Sequence, residues 1–148
     1  MPELPDALPF DSLGFDVNLA ARSTRALLDA RLAQQGVTFA TWVTLVALAV
    51  RGTLIQRDVA RMVDVEGPTM VRRLDQLEAS GLVARSRDPS DRRATQVALT
   101  PAGRELYERI RTAVYETERE LLAEIAPGDV QTTRRVLRQI TERARVPR

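Results

Sequence analysis

The sequence predicts a mainly α-helical protein of six helices, with one small β-hairpin between the fourth and the fifth helix. Apolar residues recur every three or four positions along most of the chain, which is the period of an amphipathic helix. Between residues 82 and 99 the period changes to two, as in a strand with one buried face. The residues "DPSD" stand between the two alternating runs and favour a turn, so the runs are expected to pair as a hairpin.

The first four helices follow from apolar spacing and from residues that begin or end helices. The first is predicted over residues 13–36, and Thr38 caps a second, "FATWVTLVALAV", which is apolar nearly all round and is therefore expected in the core. A third, short helix is predicted over residues 56–62. A fourth is predicted over residues 68–80, because proline suits a first turn and Gly81 a helix end.

Two further helices follow the hairpin. Thr100 and Pro101 form a typical helix start, and apolar spacing predicts a long fifth helix that reaches about Ile125, before a break at residues 127–129. The inward face of the sixth helix is expected to carry Val130, Thr133, Val136 or Leu137, and Ile140. Residues 1–9 are rich in proline and show no period, which predicts a flexible arm.

The composition restricts the classes of function. Cys and His are both absent, which excludes disulfides, cysteine or histidine nucleophiles and most zinc and haem sites, so no metal or cofactor is expected. No apolar run is long enough to cross a bilayer and no signal segment is recognised, so a cytoplasmic protein without membrane contact is expected. All 22 positively charged residues are Arg. This reflects either the habit of the source genome or the suitability of guanidinium for phosphates and base edges.

The fourth helix has a polar face suited to DNA. Helical spacing places Val71, Leu74 and Leu77 toward the core. The outward face then carries Thr69, Arg72, Arg73 and Gln76. Arg offers two donors to guanine and Gln pairs in a similar way with adenine, so this face is able to read bases in a major groove. The alternative is an ordinary solvated face, which most charged helices have.

The third and fourth helices are expected to form a helix–turn–helix unit. The turn at residues 64–67 is short, and the small residue Ala60 allows the two helices to cross closely. With the hairpin after it, this unit has the order of a winged helix over residues 38–100. Residues 10–37 and 101–146 carry more apolar surface than a small winged helix buries, which predicts a helical dimerisation region.

The hairpin tip carries Asp91, Arg92 and Arg93. A slender tip with arginines is suited to a minor groove, whose negative potential attracts guanidinium groups. We expect the carboxylate of Asp91 to hold the guanidinium of Arg93 in an extended position. The alternative is a charge-balanced surface turn with little energetic effect.

One long run of the sequence, "RDVARMVDVEGPTMVRRLDQLEASGLVARSRDPSDRRATQVALTPAGREL", resembles the MarR family of winged-helix transcription regulators. Its most specific part is "DPSDRRA" and "LTPAG" after "RLDQLEASGLV". Upstream, "RALLDARL" and "TWVTL" resemble the SlyA branch of that family. The resemblance implies a symmetric homodimer that binds double-stranded DNA at a palindromic operator. The fourth helix would lie in the major groove, and the hairpin, which is the wing of this fold, would lie in the minor groove.

The resemblance also implies particular DNA contacts. They fall on Pro68, Thr69, Arg72, Arg73, Gln76, Asp91, Arg92 and Arg93. Two positions depart from the family pattern, since Ile55 stands where a Ser or Thr helix cap is usual and Asp64 where the turn usually has Gly. Either Thr53 takes over the capping of the third helix or the start of that helix frays.

Regulators of this family commonly respond to small aromatic or phenolic anions. In this chain Arg22, Arg25 and Trp42 correspond to such a ligand pocket, and guanidinium groups beside an indole suit an aromatic carboxylate. Alternatively, Trp42 belongs to the core and the arginines pair with Asp16 or Asp29 across the dimer interface.

An enzyme is not expected. Without His or Cys, catalysis would depend on carboxylates, and no Asp or Glu stands in a context that predicts burial or a raised pKa. The remaining alternative is a winged helix that binds DNA nonspecifically, as a nucleoid protein does, or that contacts another protein. A specific regulator differs from both because it prefers its operator over random duplex by roughly a thousandfold or more.

Overall fold

The computed structural model describes residues 12–144, which form six helices and one three-stranded antiparallel sheet. The predicted arm at residues 1–9 lies outside the described residues. The chain divides into two compact units, Met1–Val114 and Tyr115–Arg148. In chain order the elements are α1 (Leu13–Gln34), α2 (Phe39–Arg51), β1 (Leu54–Ile55), α3 (Gln56–Met62), α4 (Gly67–Ala79), β2 (Val83–Arg87), β3 (Thr95–Leu99), α5 (Pro101–Leu121) and α6 (Pro127–Arg143).

The sheet has the strand order β1-β3-β2. β2 and β3 form the predicted hairpin, with Val83 opposite Leu99 and Arg87 opposite Thr95. β1 was not predicted, because two residues are too few to show an alternating pattern. It is defined by its pairing with β3, in which Leu54 lies opposite Val97. The predicted fold class, a mainly helical winged helix with a small β-wing, is confirmed.

Two apolar clusters form the core of the described part of the chain, and α2 contributes to both. The first combines residues of α2, α3, α4, β2 and β3, namely Leu48, Val59, Ala60, Met70, Leu74, Leu77, Val83 and Val97. The second consists of Leu32, Val37, Leu45 and Ile110. Because α2 is apolar nearly all round, it can be buried on two sides, as its sequence predicted.

The first two helices are joined by a short turn. The Oγ1 of Thr38 accepts the backbone N–H of Thr41 at 3.1 Å and caps α2 as predicted. Within residues 12–144 no single helix combines the length and apolar content needed to span a membrane; α1 and α2 together meet that criterion by length and composition only, and are bent by 85°.

The inward face of α4 differs by one residue from the prediction. Val71 is 38% exposed, whereas Met70 is fully buried together with Leu74 and Leu77. Positions 70, 74 and 77 fit the helical period as well as positions 71, 74 and 77 do, so spacing alone does not distinguish them. Met70 is the inward residue because α4 packs on the first cluster through Met70, Leu74 and Leu77.

The two residues that depart from the family pattern are Ile55, at the start of α3, and Asp64, in the turn after it. Ile55, the last residue of β1, is the N-cap of α3 and makes no side-chain capping bond. Of the two alternatives considered, capping of this helix by Thr53 is therefore wrong, since the paired strand β1 leads directly into α3. Asp64 adopts a φ of 53°, the left-handed conformation that Asp tolerates better than most residues.

The last two helices have different bounds from those predicted. α5 ends at Leu121 instead of continuing to about Ile125, and Pro127 is the first residue of α6 instead of part of a break. A proline at the first helical position lacks only an N–H that would be unpaired there in any case. Of the predicted inward residues of α6, Val130 and Ile140 are half-buried, and the exposed ones are Thr133, Val136 and Leu137.

Candidate nucleic-acid interface

α4 presents a polar face on the side away from its buried residues. Gly67 and Pro68 form its first turn, and the exposed residues on this face are Pro68, Thr69, Arg72 and Gln76. They are four of the five α4 positions predicted to contact DNA. The structure brings them together because their spacing repeats the helical period.

Arg73, the fifth of these positions, is turned toward α2. It is partly buried, and its Nη1 donates a hydrogen bond at 3.3 Å to Oγ1 of Thr44. Burial lowers the pKa of Arg73, because it removes water from the charged group. The sequence predicted Arg73 on the outward face. In the structure it lies at the edge of that face, and its side chain is bonded to Thr44 of α2.

The wing tip is organised by the carboxylate of Asp88. Oδ1 accepts the backbone N–H groups of Ser90 and Asp91 at 2.7 and 3.2 Å, and Oδ2 accepts Nε2 of Gln96 at 2.9 Å. The hydroxyl of Ser90 also donates to Oδ1. The side-chain bonds from Ser90 and Gln96 are the main reasons why the pKa of Asp88 is lowered from 3.8 to about 2. The turn that the sequence predicted is thus held by its own first residue.

The role expected of Asp91 is corrected by the structure. Its Oδ1 accepts the backbone N–H of Arg93 at 2.9 Å, so the carboxylate holds the main chain of the turn instead of the guanidinium. Arg92 and Arg93 are both exposed at the tip. The tip therefore has a fixed backbone and two arginine side chains in solvent.

Two groups of residues at this surface were missed by sequence reasoning. Arg85 of β2 pairs with Asp75 and Glu78 of α4. Two carboxylates three positions apart on a helix were visible in the sequence, but the partner depends on how the hairpin packs. A groove of about 310 Å³ between α3 and α4 is lined by two further arginines, Arg57 and Arg61.

Two of the three residues predicted to bind an effector line one depression in the described part of the chain. Arg22 and Arg25 line a shallow depression of about 590 Å³ on α1, and Trp42 is not among its lining residues. Trp42 stacks on Tyr107 with ring centroids 5.7 Å apart and packs against the second cluster. Among residues 12–144 no group of three or more acidic residues is arranged to hold a metal ion.

Arg25 is already engaged within the chain. Its Nε donates to both oxygens of Asp29 at 3.2 and 3.1 Å. Its Cζ lies 3.5 Å from the ring centroid of Phe39, which is a cation–π contact. The alternative considered was a pairing with Asp29 across the dimer interface, whereas the pair present here lies within α1 of one chain.

Comparison with known proteins identifies the family. The family model described as MarR family matches residues 35–94, from the end of α1 to the wing tip. A crystal structure of a MarR-family transcriptional regulator from Rhodococcus sp. RHA1 is 26% identical and covers 96% of this chain and 100% of that one, with a TM-score of 0.81. A probable transcriptional regulator from Pseudomonas aeruginosa is 31% identical over 88% of this chain and 97% of that one, with a TM-score of 0.77. The chain belongs to the MarR family.

One further relative is informative because the small molecule that regulates its DNA binding is known. The structure described as "Mechanism for regulation of DNA binding of Bordetella bronchiseptica BpsR by 6-hydroxynicotinic acid" is 26% identical to this MarR-family chain. It covers 87% of this chain and 98% of that one, with a TM-score of 0.77. The chain thus has the fold of MarR-family transcription regulators, and every predicted DNA contact lies within the matched residues 35–94.

Proposed function

We propose that this chain is a sequence-specific DNA-binding transcription regulator of the SlyA-like branch of the MarR family. One observation carries the proposal: the exposed face of α4, with Arg72 and Gln76, lies in the same winged-helix unit as a hairpin whose tip exposes Arg92 and Arg93. Guanidinium and amide groups on a helix read base edges in the major groove, and arginines on a slender tip fit the minor groove. Residues 38–100 form the DNA-binding domain in this proposal.

We infer that the active form is a homodimer built from residues 10–37 and 101–146. Apolar side chains are exposed along the second compact unit, namely Tyr115, Leu121, Ile125, Val136 and Leu137. Exposed apolar surface of this extent is typical of an interface between protein chains. A twofold dimer places its two copies of α4 about one turn of DNA apart, roughly 34 Å, so its operator is palindromic or nearly so.

Selection of duplexes from a random pool, followed by competition binding, tests the function. The selected site should be bound roughly a thousandfold or more tightly than random duplex at physiological salt, and it should have twofold symmetry. Equal affinity for all duplexes would favour a nucleoid-type protein. The absence of DNA binding would favour a winged helix that contacts another protein. Analytical ultracentrifugation of the full chain tests the dimer separately.

We also propose that a small aromatic carboxylate or phenolic anion releases the protein from DNA. Two features support this: Arg22 and Arg25 line the same depression on α1, and DNA binding by the relative BpsR is regulated by 6-hydroxynicotinic acid. Arg25 must exchange its bond to Asp29 for the ligand. Thermal-shift screening of hydroxybenzoates and hydroxynicotinates tests the proposal, since a ligand that binds raises the melting temperature. A hit that leaves operator affinity unchanged would contradict the regulatory role.

A further inference from the structure

Arg85, in the middle of β2, joins the hairpin to α4. Its Nη2 donates to Oδ1 of Asp75 at 2.6 Å and to Oε2 of Glu78 at 2.7 Å, and its Nε donates to the same Oε2 at 2.9 Å. The other oxygen of Glu78, Oε1, accepts the backbone N–H of Arg85 at 3.1 Å. One carboxylate of α4 therefore holds both the side chain and the main chain of a residue in the wing.

This link is better shielded than an ordinary surface ion pair. The side chain of Arg85 is only 22% exposed, against 55% for Asp75 and 40% for Glu78. A planar guanidinium that donates several hydrogen bonds constrains the orientation of its partner in addition to pairing the two charges. The side-chain hydrogen bonds between the two groups lower the pKa of Glu78 and raise the pKa of Arg85, so both remain ionised at neutral pH.

The link stands between the two parts of the proposed DNA interface. On one side, Asp75 immediately precedes Gln76 of the exposed α4 face. On the other side, β2 continues from Arg85 to the tip that carries Arg92 and Arg93. The hydrogen bonds of Arg85 therefore fix the wing against the helix at the point from which the tip projects.

We propose that Arg85 is a positioning residue for operator binding, which holds the wing at the angle to α4 at which both reach DNA. This inference rests on the proposed function. The rival role is direct contact between Arg85 and a DNA phosphate. The two roles predict opposite effects for loss of Glu78, because removal of a negative charge near DNA favours binding by charge alone, whereas loss of the partner of a positioning residue weakens it.

The test uses the full-length protein and its selected operator. Glu78→Ala, Arg85→Met and the double variant are compared with Glu66→Ala, which removes a carboxylate from the exposed residue that precedes α4. Each of the first two substitutions should weaken operator binding about tenfold, and the double variant should be no weaker than either single one, because both remove the same interaction. Glu66→Ala should bind as tightly as the wild type or more tightly.

A second measurement follows the angle of the wing without DNA. The chain contains no cysteine, so spin labels can be placed at Ala79→Cys and Arg87→Cys, two exposed positions at the end of α4 and at the tip end of β2. The labelled chain is diluted with an excess of unlabelled protein of the same background, so that the labels in a dimer lie mostly on one protomer and report the distance within it. In the Arg85→Met background the distribution of this distance should broaden, while circular dichroism and dimerisation stay unchanged. Asp75→Ala removes one of the three side-chain bonds and should give a smaller effect, which keeps the test valid if the other variants fold poorly.

The outcomes separate the roles clearly. Tight operator binding by Glu78→Ala, combined with weak binding by Arg85→Met, would show direct contact with DNA and overturn the proposal. Unchanged distance distributions in every variant would overturn it as well. If the wild type showed no preference for any duplex, the proposed function would fail, and the role in operator binding would fail with it. The distance measurement would still show whether Arg85 fixes the wing.

Discussion

The guanidinium of Arg73 donates a hydrogen bond at 3.3 Å to the hydroxyl of Thr44, and this bond joins α4 to the interior of the winged helix. Thr44 is fully buried on α2, and its hydroxyl in turn donates to the carbonyl of Ala40 at 2.9 Å. The hydroxyl is therefore satisfied as an acceptor and as a donor. α4 is thus held by arginines on two sides, by Arg73 toward α2 and by Arg85 from β2.

Replacement of Thr44 by Val should destabilise the protein. Val has the same shape but cannot accept the bond from Arg73, and the loss of a partner for a partly buried charged donor is expected to lower the free energy of unfolding by about 1–2 kcal/mol. Urea denaturation monitored by circular dichroism measures this. In an Arg73→Ala background the cost of Thr44→Val should become small. An equal cost in both backgrounds would assign the effect to the bond with Ala40 instead.

Replacement of Arg72 by Ala should relax the choice of DNA sequence. Arg72 is exposed on α4, so its guanidinium is able to face a base edge, and its loss should cost roughly 1–3 kcal/mol of operator affinity. Competition between the operator and operators with single base changes gives the preference. Arg104→Ala, an exposed arginine of α5 outside the proposed interface, is the matched control and should keep the wild-type preference. If Arg72→Ala discriminates between these operators as the wild type does, Arg72 does not contact a base.

Replacement of Arg93 by Ala should weaken operator binding without changing the oligomeric state. Arg93 is exposed at a tip whose backbone is already fixed by Asp91, so the substitution removes charge and leaves the turn intact. The slope of log affinity against log salt should fall by about one for each phosphate that the variant no longer neutralises. Gel filtration provides the control. A shift from dimer to monomer would show that the wing takes part in assembly.

Local sequence patterns account for the parts of the fold that could be predicted. The hairpin was predictable because Thr95, Val97 and Leu99 alternate along one strand, and the alternation determines which side of it is buried. The inward position of Met70 was not predictable, because the residues of α2 and β2 in the same cluster are distant in sequence. β1 likewise has no local signal, since only its partner β3 makes it a strand.

In the candidate site, too, the features set by spacing within one element were predictable, and those set by packing between elements were not. The exposure of Arg72 and Gln76 follows from helical spacing alone, and the sequence predicted it. The side chain of Arg73 lies at the edge of the same face, and a neighbouring helix decides its direction. The pairing of Arg85 with Glu78 depends on how a strand packs against a helix, which spacing within either element does not contain.

The ionisation of Asp88 should be visible in the stability of the wing at low pH. Hydrogen bonds to its charged form lower its pKa from 3.8 to about 2. Because the pKa in the folded protein lies below that of the unfolded chain, the stabilisation is complete above about pH 4 and is lost as the pH falls through about 2. The Ser90 amide resonance should titrate with this low midpoint. Asp88→Asn should abolish that step, and a midpoint near 4 in the wild type would contradict the hydrogen-bonding pattern.

Replacement of Gly103 by Ala should destabilise the protein more than any other substitution considered above. A Cβ at this position would lie 1.9 Å from the carbonyl oxygen of Leu82, which is main chain and cannot turn aside. Thr100 fixes the same junction, since its hydroxyl donates to the carbonyl of Gly81 at 2.6 Å and accepts the N–H of Gly103 at 3.0 Å. The start of α5 and the segment that leads into β2 must therefore separate, at a cost of about 3 kcal/mol or more.

Gly128→Ala is the matched control for this prediction. Gly128 also lies in the first turn of a helix, but among the described residues an added Cβ there has no atom within 4 Å beyond its chain neighbours and the backbone of its own helix. Alanine favours a helix over glycine by up to about 1 kcal/mol, so this variant should be as stable as the wild type or slightly more stable. Thermal and urea denaturation of the two variants measure the difference directly. Equal stabilities would mean that the α5 start moves away from Leu82 at little cost, and the close approach at Gly103 would then not explain the glycine of the "LTPAG" segment.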